Sequence, residues 1–172
     1  MQTRFSAERV MDAPAEVVYH LISDYSEHHR DHPEGFLPDA FSDMVVERGG
    51  VGHGTVVRFS SKMGGRKQTM TASITETQPG RVLVEAGEGV VTTFTVEPEG
   101  SQRARVRFDT VFDFGGVTGL MVRLFAPGML RPIYAEEMDR LERHAKAHPA
   151  LAPTRAEVPV VAAAPALVAV GM

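Results

Sequence analysis

Three histidines, His28, His29 and His32, crowd one polar stretch with Asp31 and Glu34 beside them. Imidazole nitrogens near a carboxylate can hold zinc, and His28 and His32 would share a face if the stretch were helical. The stretch lacks a His-Glu-x-x-His pattern, and no metal or other cofactor is expected. Histidine also titrates near neutral pH, so His29 and His32 are candidates for a pocket mouth, offering a hydrogen bond or a proton. The chain has no cysteine, which excludes disulfides, thiolate catalysis and cysteine zinc sites. No Gly-x-Ser-x-Gly elbow is present for a serine hydrolase of that design. The glycine-rich run 49–54 leads into Thr55, Val56, Val57 and Phe59, which favour a strand, so it reads as a hairpin turn rather than a phosphate cradle. Asp109 and Asp113 share a strand face with Arg105 and Arg107, a pattern of surface ion pairs rather than of paired catalytic carboxylates.

The stronger candidate site is an apolar wall. By strand alternation Val57, Phe59, Met70, Ala72, Phe94, Val106, Phe108, Thr110 and Phe112 face inward, together with Ile74 and Val96. Leu120, Leu124 and Tyr134, with Ile133, are expected to close the wall from a helix. Thr92, Thr110 and Tyr134 would supply the few polar groups that orient a ligand in such pockets.

These side chains need elements to position them. A first strand is expected over residues 3–11, followed by a short helix to about Asp24, with Asp12 capping it and Pro14 in its first turn. A second short helix is expected in the polar segment 25–38. The hydrophobic period then switches to alternation, giving strands over 41–48, 55–62, 67–76, 81–86, 90–97 and 103–114, each bounded by a glycine-containing turn. Along the last strand Arg103, Arg105, Arg107 and Asp109 alternate with Ala104, Val106, Phe108, Thr110 and Phe112, so one face is wet and the other is apolar. Residues 117–146 carry helical spacing, with Leu120, Leu124, Ile133, Met138, Leu141 and Ala145 as the apolar stripe. Glu136/Arg140 and Asp139/Arg143 are acid-first pairs suited to an exposed helix face. Pro127-Gly128 and Pro132 should bend or break its first half, leaving a gate. Residues 1–147 form one expected domain, and the Ala-, Pro- and Val-rich residues 148–172 a flexible tail.

The formal net charge of -4 argues against nucleic acid as the partner, because phosphate neutralisation needs a basic surface. No apolar run is long enough to span a membrane: the run 158–172 is short and is interrupted by Pro159 and Pro165. A cytoplasmic protein without stable membrane insertion is expected, while its oligomeric state stays open.

Three stretches resemble the START-like (SRPBCC) superfamily, in its polyketide-cyclase/dehydrase-like branch. They are Met11-Asp12-Ala13-Pro14-Ala15-Glu16-Val17-Val18 with Leu21-Ile22-Ser23-Asp24, then Gly54-Thr55-Val56-Val57-Arg58-Phe59, and Thr93-Phe94-Thr95-Val96-Glu97-Pro98. The resemblance covers residues 1–147. It implies an α+β helix-grip fold, in which a curved seven-stranded antiparallel sheet wraps a long C-terminal helix. It also implies a cavity for a hydrophobic small molecule such as a lipid or polyketide. Binding is the favoured reading. An alternative is a polyketide cyclase or dehydratase using the same cavity, with His29, His32 and Tyr134 moving protons. A third reading has the segment 158–172 dock on another chain or into its own pocket.

Overall fold

A computed structural model of the chain describes residues 2–30, 33–63 and 65–151. Strand β1 (Gln2–Met11) leads into helix α1 (Ala15–Ser23). Six strands follow: β2 (Phe41–Arg48), β3 (Val56–Met63), β4 (Arg66–Gln78), β5 (Val82–Gly87), β6 (Val90–Pro98) and β7 (Ala104–Asp113). Helix α2 (Gly116–Ala147) and a single 3-10 turn (Pro149–Leu151) complete the order. The expected tail from residue 152 onward lies outside the described residues.

The seven strands form one antiparallel sheet in the order β1-β7-β6-β5-β4-β3-β2. Strands β2 to β7 run as a meander, and β1 closes against the outer edge of β7. Alternation decides which face is dry. On β7, Ala104, Val106, Phe108, Thr110 and Phe112 are buried, while Arg105, Arg107 and Asp109 lie toward the other face. That second face is held by surface pairs: Arg105 to Glu8 at 2.9 Å and Arg107 to Asp109 at 2.7 Å. Exposed pairs of this kind contribute about 0–1 kcal/mol each, so the dry face carries the stability.

Both helices lie on the dry face. Helix α1 buries Val17, Val18, Leu21 and Ile22 over β6 and β7. Helix α2 approaches β1 and β7 most closely and buries Leu130, Tyr134, Met138, Leu141 and Ala145. A fully buried Leu or Ile stabilises by about 1.5–3 kcal/mol relative to its exposed state, so this anchorage is substantial. Because α2 lies toward the β1/β7 side, Phe59 on β3 and Met70 on β4 stay partly exposed although they point inward.

Four local expectations need correction. Among the described residues of 25–38 there is no second short helix. In its place stands one turn, in which the His28 N–H reaches the Asp24 carbonyl at 3.3 Å. Asp24 Oδ1 accepts the N–H groups of Ser26 and Glu27 at 2.9 and 3.1 Å, which ties the backbone into that turn rather than a longer helix. Asp12 does not cap α1; Pro14 occupies that position without a side-chain cap. Helix α2 runs unbroken through Pro127 and Pro132. Each proline forfeits one N–H and crowds the carbonyl four residues back, at about 3 kcal/mol. The buried half beyond Pro132 holds the rod in place. Of the two acid-first pairs, Glu136 and Arg140 meet at 2.5 Å. Asp139 turns instead to Arg9, and Arg143 reaches only the Asp139 carbonyl.

Candidate ligand site between the sheet and the long helix

The register sets the inward side chains in rows across the strands. One row joins Ala7, Phe108, Phe94 and Leu83, and another joins Thr3, Phe112 and Val90. Between these apolar rows runs a polar one: Phe5, Thr110, Thr92, Glu85 and Ile74. A hydroxyl–hydroxyl–carboxyl stripe therefore crosses the dry face, with phenylalanine on either side. Helix α2 sets Tyr134 and Glu137 on its buried side. The Tyr134 ring meets Phe108 edge-on at 5.5 Å and Phe5 at 5.7 Å.

Hydrogen bonds link several of the polar groups inside this site. Thr92 and Thr110 share a hydrogen bond of 2.9 Å, and Thr110 also bonds the Tyr134 hydroxyl. The Tyr25 hydroxyl donates to Glu85 Oε1. The carboxyl of Glu137 is buried on α2, where the like charges of Glu85 and Glu136 act on it.

Burial controls the ionisation of these groups. Desolvation, joined by the like charge of Glu85 and of Glu136, pushes Glu137 up to about 8. Glu85 keeps some exposed surface as a residue, but its carboxyl head is buried. Desolvation lifts it to about 7 despite the Tyr25 hydrogen bond, which lowers it. Tyr25 and Tyr134 are both raised by desolvation and stay neutral. Near neutral pH the site holds one protonated carboxyl and one near its midpoint, the combination that acid–base chemistry uses.

Most of the predicted wall converges. Val57, Ala72, Phe94, Val106, Phe108, Thr110, Phe112 and Tyr134 are buried, and Phe59 and Met70 are partly so. Val106 sits two inward positions before Thr110, toward the strand end that α1 covers. Leu120 and Leu124 do not close the helix side: they are 50% and 63% exposed. Each lies about four turns before an inward residue, Leu120 before Tyr134 and Leu124 before Met138, so they share that face of the helix, but no described residue covers them there. His29 is not at a mouth. It is buried, stacked on Tyr25 at 4.0 Å, and its Nε2–H donates to the Ile22 carbonyl at 2.7 Å. Burial holds it down at about 4, so it is neutral and structural. His32 lies outside the described residues.

Sequence reasoning missed Glu85 and Glu137. Glu85 had a legible signal, because it alternates in phase with the fully buried Leu83 on β5. Glu137 follows Ile133 and Tyr134 at helical spacing and precedes Leu141 by four residues, so the stripe could have included it.

Residues 2–146 match the family described as polyketide cyclase/dehydrase and lipid transport. No functionally curated protein matches the chain. Among solved structures, the chain is similar to the KanY protein, at 26% identity and a TM-score of 0.69, over 85% of this chain and 99% of KanY. It also resembles in fold the Zhui aromatase/cyclase from Streptomyces sp. R1128, at 13% identity and a TM-score of 0.64, over 86% and 96% of the two chains. A third likeness is to norcoclaurine synthase from Thalictrum flavum, solved with dopamine and hydroxybenzaldehyde, at 16% identity and a TM-score of 0.62, over 86% and 88%. No helix among the described residues is long and apolar enough to cross a membrane. With the family match spanning nearly all of the described fold, the chain belongs to the polyketide cyclase/dehydrase and lipid transport family.

Proposed function

We propose that this chain binds a largely apolar, oxygen-bearing small molecule, of aromatic or polyketide character, between its sheet and α2. The carrying observation is the polar row Glu85, Thr92 and Thr110 set between rows of phenylalanine, with the buried carboxyl of Glu137 on α2. Aromatic walls would take the ligand's apolar body, and a protonated Glu137 would donate to a carbonyl or hydroxyl oxygen on it. The neighbours in fold, an aromatase/cyclase and a synthase solved with dopamine and hydroxybenzaldehyde, support this ligand class. The test is a titration of isotope-labelled protein with dihydroxyanthraquinone, followed by NMR. Shifts are expected at Phe94, Phe108, Thr110 and Tyr134, weakened in Glu137→Gln and Tyr134→Phe. Shifts confined to surface residues, or none, would remove the interior site.

A second reading, catalysis by the same groups, is favoured by the pairing of Glu137 at about 8 with Glu85 at about 7. In a dehydration Glu137 would protonate a departing hydroxyl, which leaves as water, and the Glu85 carboxylate would take the proton from the adjacent carbon as the double bond forms. This moves the acid–base role from His29 and His32 to the two glutamates. Binding retained in Glu85→Gln with turnover lost would mark catalysis, whereas unchanged turnover would leave binding alone.

A further inference from the structure

A second cluster of chemistry-bearing side chains lies where the end of α1 meets the end of α2. We propose that His20, Asp24 and His28 form a site for a divalent transition-metal ion, zinc foremost, held by two imidazoles and one carboxylate. One ligand atom from each of the three lies within 4.8 Å of the other two.

The sequence places them at i, i+4 and i+8, which brings His20 on α1, Asp24 at its C-terminal end and His28 in the following turn to one side. Asp24 divides its two oxygens. Oδ1 accepts the Ser26 and Glu27 N–H groups, and Oδ2 faces His20 Nε2 at 4.0 Å, beyond a hydrogen bond. One oxygen therefore fixes the carboxylate, and the other is left to bind. Two nitrogen or oxygen ligands on a tetrahedral zinc, about 2.0–2.2 Å from the ion, stand roughly 3.4 Å apart. The His20 side chain is 41% exposed and can close the difference by a small rotation.

His28 is held from behind. Its Nδ1 lies 3.2 Å from His144 Nε2 on α2, and His148 in turn donates its Nδ1–H to the His144 carbonyl at 2.8 Å. A hydrogen bond to the far side of a coordinating imidazole is the usual device that fixes its tautomer and orientation. Nothing in the hydrophobic packing of α1 and α2 asks for four imidazole rings in sequence, from His20 through His28 and His144 to His148, at centroid spacings of 4.3–5.9 Å. Three ligands leave coordination positions open to water or to a small ligand, and the exposed edge of His20 gives access from solvent. The site departs from the expectation of no metal, and it uses His28 without His29, which is turned inward onto Tyr25. An ion here would also pin the turn whose opposite side carries Tyr25 to Glu85.

The test uses the full chain freed of any affinity tag and stripped of metal. Calorimetric titration with Zn2+ is expected to show one equivalent bound, with the melting temperature raised by the ion, and Co2+ should develop visible d–d bands. His20→Ala, at a partly exposed position, should fold normally and lose at least roughly tenfold in affinity together with the thermal shift. His53→Ala, in the exposed turn before β3, should bind as the wild type does. If His20→Ala proves unstable, imidazole 15N shifts of the wild type decide: His20 and His28 move with Zn2+ and His53 does not. Absence of stoichiometric binding by the wild type, or binding that survives both His20→Ala and His28→Ala, would overturn the site.

Discussion

Helix α2 has two halves of opposite character. From Leu130 onward it buries Tyr134, Glu137, Met138, Leu141 and Ala145. Before Leu130 it turns Val117, Leu120, Met121, Leu124 and Phe125 toward solvent. The inner half buries a glutamate among its leucines while the outer half leaves two leucines in solvent, which hydrophobicity alone would not assign. An apolar stripe records which residues gain from burial, whereas the sheet's position decides which of them obtain it. The inner half packs over β1 and β7, and its glutamate is kept neutral there by desolvation.

The largest contrast is expected from truncating one leucine in each half. Leu141→Ala removes a fully buried side chain and should cost about 2–5 kcal/mol in urea unfolding. Should it cost under about 1 kcal/mol, the inner half is not the anchor.

Next comes Glu137→Gln, whose effect depends on pH. The folded chain holds the Glu137 proton up to about 8, whereas its ordinary value is 4.5. Between these values the folded state binds more protons than the unfolded one, so stability falls as pH rises through the window and levels off above it. Glutamine removes that loss. It should stabilise the chain at high pH and change little near the ordinary carboxyl range, as read from unfolding curves at both ends. Some slope should persist, because Glu85 at about 7 titrates in the same window. Equal effects at both ends would mean that Glu137 is ionised in the fold.

Tyr134→Phe deletes the hydroxyl bonded to Thr110 and should cost about 1 kcal/mol with the ring contacts kept. The smallest effect is expected from Leu124→Ala, within about 0.5 kcal/mol, since the side chain is already in solvent. A loss as large as that of Leu141→Ala would show that the outer half is covered in solution.

The architecture was legible because two periods alternate cleanly. The strand at Phe41–Arg48 matches the expected bounds, and β6 and β7 differ from theirs by a residue at each affected end. The segment after α1 was not legible. Its helical spacing of His20, Asp24 and His28 is real, but Asp24 Oδ1 accepts two N–H groups and the helix stops there. Inward positions were readable where the side chain is apolar, as for Phe94 and Phe108. They were not readable for Glu85 and Glu137, because residue type argues for exposure while register places each inside. His29 illustrates the converse: a residue that resembles a pocket-mouth acid or base is packed away by Tyr25 and Phe36.

The interior between the sheet and α2 keeps two carboxyls protonated into the neutral range, where they would meet an oxygen on the proposed apolar ligand. Carbon-13 NMR titration of the glutamate side-chain carboxyls measures this directly, with Glu85→Gln and Glu137→Gln assigning the resonances. Glu137 is expected to titrate near 8 and Glu85 near 7, both moving when dihydroxyanthraquinone binds. Ordinary midpoints near 4.5 for both, unmoved by that ligand, would contradict the account.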